Sequence, residues 1–254
     1  MKLPTLAVLL ILGSAAARGA DVAPNPGLRW TTLYQTGLAD TFQLTLGGTF
    51  GRGPAWQSRV ETGLANLWKP GDALYLYGAE SLDLDVLRSN WQTGVEYRRP
   101  LWKRGRHQLT GSAGVQHWRF ALVKSGTSDW LSHESLTYRC GAGRNALLAT
   151  SDAWNLYSSP LPNGSLLHTQ VWVERVLRKR ESLTIAFRHG PAHTYSWGFY
   201  GTNGNRVFRY QTMLVLTIRG ATRIEGGYRK QFGLQDGIRN NGFWQFCLTR
   251  SFIR

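Results

Sequence analysis

The feature that most constrains this chain is the alternation at residues 206–219, RVFRYQTMLVLTIR. Phe208, Tyr210, Leu214, Leu216 and Ile218 share one parity. Arg209, Gln211, Thr217 and Arg219 share the other, with Val207, Met213 and Val215 as apolar exceptions. Successive side chains of a β-strand point to opposite faces. An extended segment here therefore has one apolar, aromatic face and one largely polar, basic face. About 9–11 residues of tilted strand cross a bilayer, and this run is longer. A chain that repeats such a segment can close into a barrel within a membrane.

The segment does repeat. Residues 41–50 set Phe42, Leu44, Leu46 and Phe50 against Gln43, Thr45 and Thr49. Strands are likewise expected over 55–68, 73–84, 89–102, 107–123, 130–140, 165–178, 182–189, 222–232 and 243–253. The alternation in 107–123 shifts near Trp118 and Phe120, which reads as a bulge. Residues 145–158 fit a strand, although 145–149 also fit a helix. Residues 190–205, beginning Gly-Pro, read as the longest loop. The total is about twelve strands, joined alternately by short turns and by longer loops. That asymmetry, with an even strand number, is how antiparallel outer-membrane barrels are built. Closure also removes exposed sheet edges. A secreted antiparallel sandwich alternates too, but its strands run about 5–6 residues, against about 10–14 here.

Residues 1–20, MKLPTLAVLLILGSAAARGA, carry Lys2, an apolar run and an Ala15/Ala17 cleavage pattern. This is the form of a secretory signal peptide, too short in its apolar part to span a membrane. Residues 21–40 are expected to be a periplasmic lead-in, and 41–254 the barrel. Mean hydropathy is −0.29, which does not argue against a barrel, because alternation averages out. The formal net charge of +15 points to anionic partners. For an exported chain these are lipopolysaccharide phosphates and acidic sugars, and no nucleic acid is expected. Cys140 and Cys247 fall about six strands apart, too far across a barrel for a disulfide.

Taken together, the chain resembles the small bacterial outer-membrane β-barrels, an all-β class. The aromatic alternation of residues 243–254 resembles their terminal strand, although it ends Phe252-Ile253-Arg254 and carries Arg250 on the apolar parity. The resemblance implies residence in the outer membrane, with its lipids and lipopolysaccharide as surroundings, and recognition by the barrel assembly machinery. Size, strand count and a basic polar face resemble the twelve-stranded channels for acidic oligosaccharides. The region 187–210 resembles outer-membrane lipid deacylases and phospholipases in the placement of its residues. Their His-x-Ser motif is absent, since His189 precedes Gly190-Pro191.

The polar parity holds Arg59, Glu61, Glu96, Arg98, His168, Glu174, Arg188, Arg209, Arg223, Glu225 and Arg229. With apolar faces outward, these residues line a lumen. Arginines outnumber acids there, so an electropositive passage for small or acidic solutes is one reading, with Arg59, Arg98, Arg188, Arg209, Arg223 and Arg229 as its anion-binding elements. A salt-bridged, filled lumen is another. A third is a lipid hydrolase using His189, His193 and Ser196, which requires nucleophile and base within hydrogen-bond reach. No HExxH or CxxC spacing occurs, and neither metal nor cofactor is expected. The basic turns at 103–106 and 178–180 are left without an assigned partner.

Overall fold

The architecture comes from a computed structural model, which describes residues 28–35, 55–65, 68–69, 71–83, 88–120, 128–158, 163–199, 202–219, 222–235 and 240–252. These residues form an antiparallel all-β sheet. In chain order its strands are β1 (Leu28–Gln35), β2 (Ala55–Ala65), β3 (Ala73–Asp83), β4 (Arg88–Arg104), β5 (His107–Phe120) and β6 (Ser128–Ala142). They continue as β7 (Asn145–Ser158), β8 (Gly164–Arg180), β9 (Leu183–Phe199), β10 (Thr202–Ile218), β11 (Thr222–Gly233) and β12 (Asn241–Phe252). Each strand pairs with its sequence neighbour, and β1 takes ladder partners on both β2 and β12 (Arg29↔Glu61, Leu28↔Phe252). Leu28–Gln35 thus extends the strand region into what the sequence reads as a lead-in. The expected strand at 41–50 lies outside the described residues.

Alternation sorts the side chains as the sequence reading requires. Leu76, Val95, Val115, Leu136, Val173, Phe187, Leu214 and Ile224 are exposed on the outer face. Glu96, Gln116, Thr150, Gln170, Arg209 and Gln231 are buried on the inner face. A large apolar outer surface over a polar interior is the reverse of a water-soluble domain and matches a lipid-facing wall. Exposed aromatics gather at both ends of the strands. Trp91, Trp130, Tyr157, Trp197 and Trp244 lie toward the loop rim, with Trp68 and Trp102 toward the short-turn rim. Such belts suit the level where apolar and wet surroundings meet.

The short-turn rim owes its tightness to its turn residues. Gly105 and Gly143 take positive φ (55° and 59°) at the first position of two-residue hairpins between Arg104↔His107 and Ala142↔Asn145. That position favours glycine in turns whose twist matches the strands.

Two expectations are corrected by the structure. First, residues 190–205 are not a long loop: β9 continues to Phe199 and β10 begins at Thr202. Gly190-Pro191 is accommodated inside the strand because the backbones close up at the glycine. A Cβ there would collide with the Val171 carbonyl oxygen of β8. Pro191 still stands in register with Tyr210 of β10, while no ladder pair forms with β8 at 190–191. A Gly190→Ala substitution is therefore expected to cost about 1–3 kcal/mol through overpacking, read as a lowered urea midpoint of the refolded protein. An unchanged midpoint would contradict the close approach. Second, no register shift occurs at 118–120. Trp118 stays in step between Gln92 and Asp129 and simply points inward, 2 % exposed. Residues 145–149, which also fit a helix in sequence, belong to β7, in agreement with the strand expected over 145–158.

Candidate functional site

The interior of the sheet carries the candidate chemistry, and its register sets which residues meet. On the β9–β11 wall, Arg188, Arg209, Arg223 and Arg229 all point inward. Glu225 lies between two of them: Arg188 Nη2 donates to Glu225 Oε1, and Arg223 Nη2 donates to the same oxygen at 2.9 Å. The Arg188 guanidinium also lies 4.6 Å from the centroid of the Trp172 ring, a cation–π placement. Arg209 Nε donates to Gln231 Oε1 at 3.0 Å. Glu174 of β8 stands across the ladder from Arg188. Four guanidiniums thus stand on one side of the interior beside two carboxylates, and Glu225 binds two of the four.

The inner face of the sheet from β4 to β8 is different in chemistry. On β4, Arg98 Nε donates to Glu96 Oε1 at 2.6 Å and lies 4.2 Å from the Tyr75 ring centroid, so this arginine is neutralised locally. One lateral row runs Arg98–Ser112–Ser135–Asp152–His168–Thr194 through the ladders of β4 to β9. The next runs Thr110–Thr137–Thr150–Gln170–Ala192–Arg209–Gln231. Hydroxyls and amides therefore lead up to the basic wall. Several buried polar atoms in and beside these rows have no hydrogen-bond partner among the described residues, including Thr150 Oγ1, Gln170 Nε2, Gln211 Oε1, Gln231 Nε2 and Arg229 Nε. A buried polar group left unsatisfied is costly, so these atoms are suited to water or a polar solute.

Toward the loop rim the interior turns apolar. Trp118, Leu131, Trp154, Leu156, Leu166 and Phe199 pack into one cluster. Below them His133 Nε2 contacts Asp152 Oδ1 at 3.2 Å and stacks on Trp154, and His168 Nδ1 meets Thr194 Oγ1 at 3.0 Å. His133 escaped the sequence reading. It keeps the inner parity of β6 with Leu131, while Trp130 and Leu136 face outward, so apolar side chains on both parities hid which face was the interior.

The hydrolase candidates are not brought together. His189 and His193 fall on the outer parity of β9, where His189 Nδ1 meets Tyr210 Oη at 2.6 Å. Ser196 is on the inner parity and fully buried. The sheet itself separates this serine from both histidines, so no nucleophile–base pair forms among them. Arg59 lies on β2 opposite Ala79, and its side chain is outside the described residues. Cys140 and Cys247 lie on β6 and β12 and form no disulfide with each other. Among the described residues no group of three or more metal-ligating side chains occurs.

No protein-family model and no curated protein matches this chain. Solved structures do match. The NanC porin aligns with a TM-score of 0.54 at 10 % identity, covering 90 % of this chain and all of that one. LpxR from Salmonella typhimurium aligns at 0.53 and 9 % identity, over 88 % of this chain and all of its own. The transport unit of the autotransporter AIDA-I from Escherichia coli aligns at 0.53 and 9 %, over 98 % and 96 %. At such identity the likeness concerns fold alone: the chain has the fold of outer-membrane β-barrels. A porin, LpxR and an autotransporter unit sharing one architecture also means that architecture does not select a function.

Proposed function

We propose that this chain is a twelve-stranded, closed β-barrel of the bacterial outer membrane, exported by a cleaved leader at residues 1–20, whose lumen passes small anionic solutes along β9–β11. The observation that carries this reading is the arginine wall, where Arg188, Arg209, Arg223 and Arg229 outnumber Glu174 and Glu225. Fixed cations on low-dielectric walls concentrate anions, and guanidinium binds carboxylate or phosphate through two parallel donors. Acidic oligosaccharides belong to the class of solute such a wall favours. Unclaimed donors beside it supply further contacts to a passing anion.

The test is a reversal potential across a planar bilayer under a salt gradient. Arg209→Ala and Arg223→Ala are each expected to move it toward cation preference, and the double variant further. Variants that conduct with an unaltered reversal potential would remove the arginines from selectivity. A filled, structural lumen is the second reading, favoured by the apolar cluster around Trp118 and Phe199. It predicts no current.

A further inference from the structure

We infer that the outer face of β4–β7 holds a groove for one anionic phospholipid, its phosphate on Arg99 and an acyl chain against Leu101 and Ala113. The inference rests on the membrane reading above and adds a ligand to the outside of the wall. A groove of about 390 Å³ opens there, walled by Tyr97 and Leu101 on one side and by Leu136 on the other. Its floor is low because it is built from small residues. Gly111 leaves room for Leu101 to lie across it: a Cβ there would stand 2.9 Å from Leu101 Cδ1. Ridges of large side chains around a floor without them make an apolar slot in a surface that already faces hydrocarbon.

The two ends of the slot differ in charge, which fixes how a lipid lies in it. Arg99, Gly111 and Leu136 share one lateral row, and Tyr97, Ala113 and Glu134 the next row toward the loop rim. The Arg99 end faces the short-turn rim, where Trp102 and then Lys103, Arg104 and Arg106 are exposed. The order from rim to groove is therefore cations, indole, guanidinium, apolar slot. A phospholipid presents the same order, from headgroup to chain, and a long cationic side chain reaches naturally toward a headgroup. At the other end Glu134 accepts a hydrogen bond from Asn155 Nδ2 at 2.8 Å. A carboxylate there repels an anionic headgroup and leaves the Arg99 end for the phosphate. This placement also gives the basic turn at 103–106 a purpose, as long-range attraction for the same headgroup.

The experiment is native mass spectrometry of the folded protein released from detergent micelles with equal amounts of phosphatidylglycerol and phosphatidylcholine of identical chains. Wild type is expected to retain phosphatidylglycerol about fivefold over phosphatidylcholine, the effect of one cation near the surface. Arg99→Gln should bring that ratio near one. Ala113→Leu, which fills the slot but keeps an apolar outer face, should lower retention of both lipids by about half or more. Heat-modifiable migration confirms that each variant is folded. A folded wild type with no phosphatidylglycerol excess overturns the groove, as does an excess that survives both substitutions and so belongs to the rim at large. Either result leaves the barrel standing. A chain that is folded and soluble without detergent overturns the membrane reading, and the groove with it.

Discussion

Replacing Glu225 with glutamine is expected to destabilise the folded protein by about 3–5 kcal/mol, the cost of removing one partner from a buried ion pair. The Glu225 and Arg188 side chains are 2 % and 3 % exposed. The same oxygen of Glu225 serves Arg188 and Arg223, so one substitution removes the negative charge that two guanidiniums share, with Arg229 of the same strand also turned inward. Glutamine keeps the shape, so the loss reports charge and not packing. The measurement is urea unfolding of protein refolded into vesicles, followed by tryptophan fluorescence. Removing Arg188 as well, as Glu225→Gln with Arg188→Met, should return part of the loss, because the two effects are coupled and not additive. A Glu225→Gln protein within 1 kcal/mol of wild type would mean that the wall is wet enough to screen its charges, and the buried pair would lose its structural role.

The second large effect concerns the outer face. Leu214→Arg is expected to cost about 2–4 kcal/mol in a lipid vesicle, the penalty for arginine near the bilayer midplane on the lipid side of a barrel. Leu214 is exposed on β10 beside Phe187 of β9 and Gly226 of β11. In a water-soluble sheet the same change at an exposed position would shift stability by no more than about 0.5 kcal/mol. The sign and size of one number thus separate a lipid-facing surface from a wet one. The readout is refolding yield and urea midpoint in vesicles, with Thr217→Arg, on the inner parity, as the comparison that should cost less.

Much of this fold is legible in the sequence because a barrel wall obeys one rule, alternation, and obeys it locally. β10 shows this best. Phe208, Tyr210 and Leu214 face out, while Arg209, Gln211 and the three apolar exceptions Val207, Met213 and Val215 are buried inside. The exceptions are not errors in the pattern. Met213 packs with Ala146, Leu148 and Trp172 across the interior. Trp118 misleads for the same reason: hydrophobicity alone cannot tell an aromatic that faces lipid from one that packs in a lumen cluster.

The Gly190-Pro191 pair misleads in another way. A breaker dipeptide usually ends a strand, but here glycine permits a close backbone approach and the strand runs on to Phe199. That one misreading also made His189, His193 and Ser196 look like neighbours on a loop, whereas a strand puts the serine and the histidines on opposite faces. The lumen arginines were legible as a parity. Their gathering onto adjacent strands around Glu225 was not, since it depends on interstrand register, which pairs Arg209 with Gln231 and Val215 with Glu225 across the β10–β11 hairpin. The Arg99 groove lies further from view still, because it needs four strands aligned side by side.

The most direct test of the central claim is single-channel recording of the refolded wild-type protein in a planar bilayer, with a salt gradient to read ion preference. An open lumen with an arginine wall predicts discrete, steady current steps and a reversal potential favouring anions. Electrical silence from protein whose heat-modifiable migration proves it folded would contradict the passage, and would leave a barrel closed by its own Trp118–Phe199 cluster.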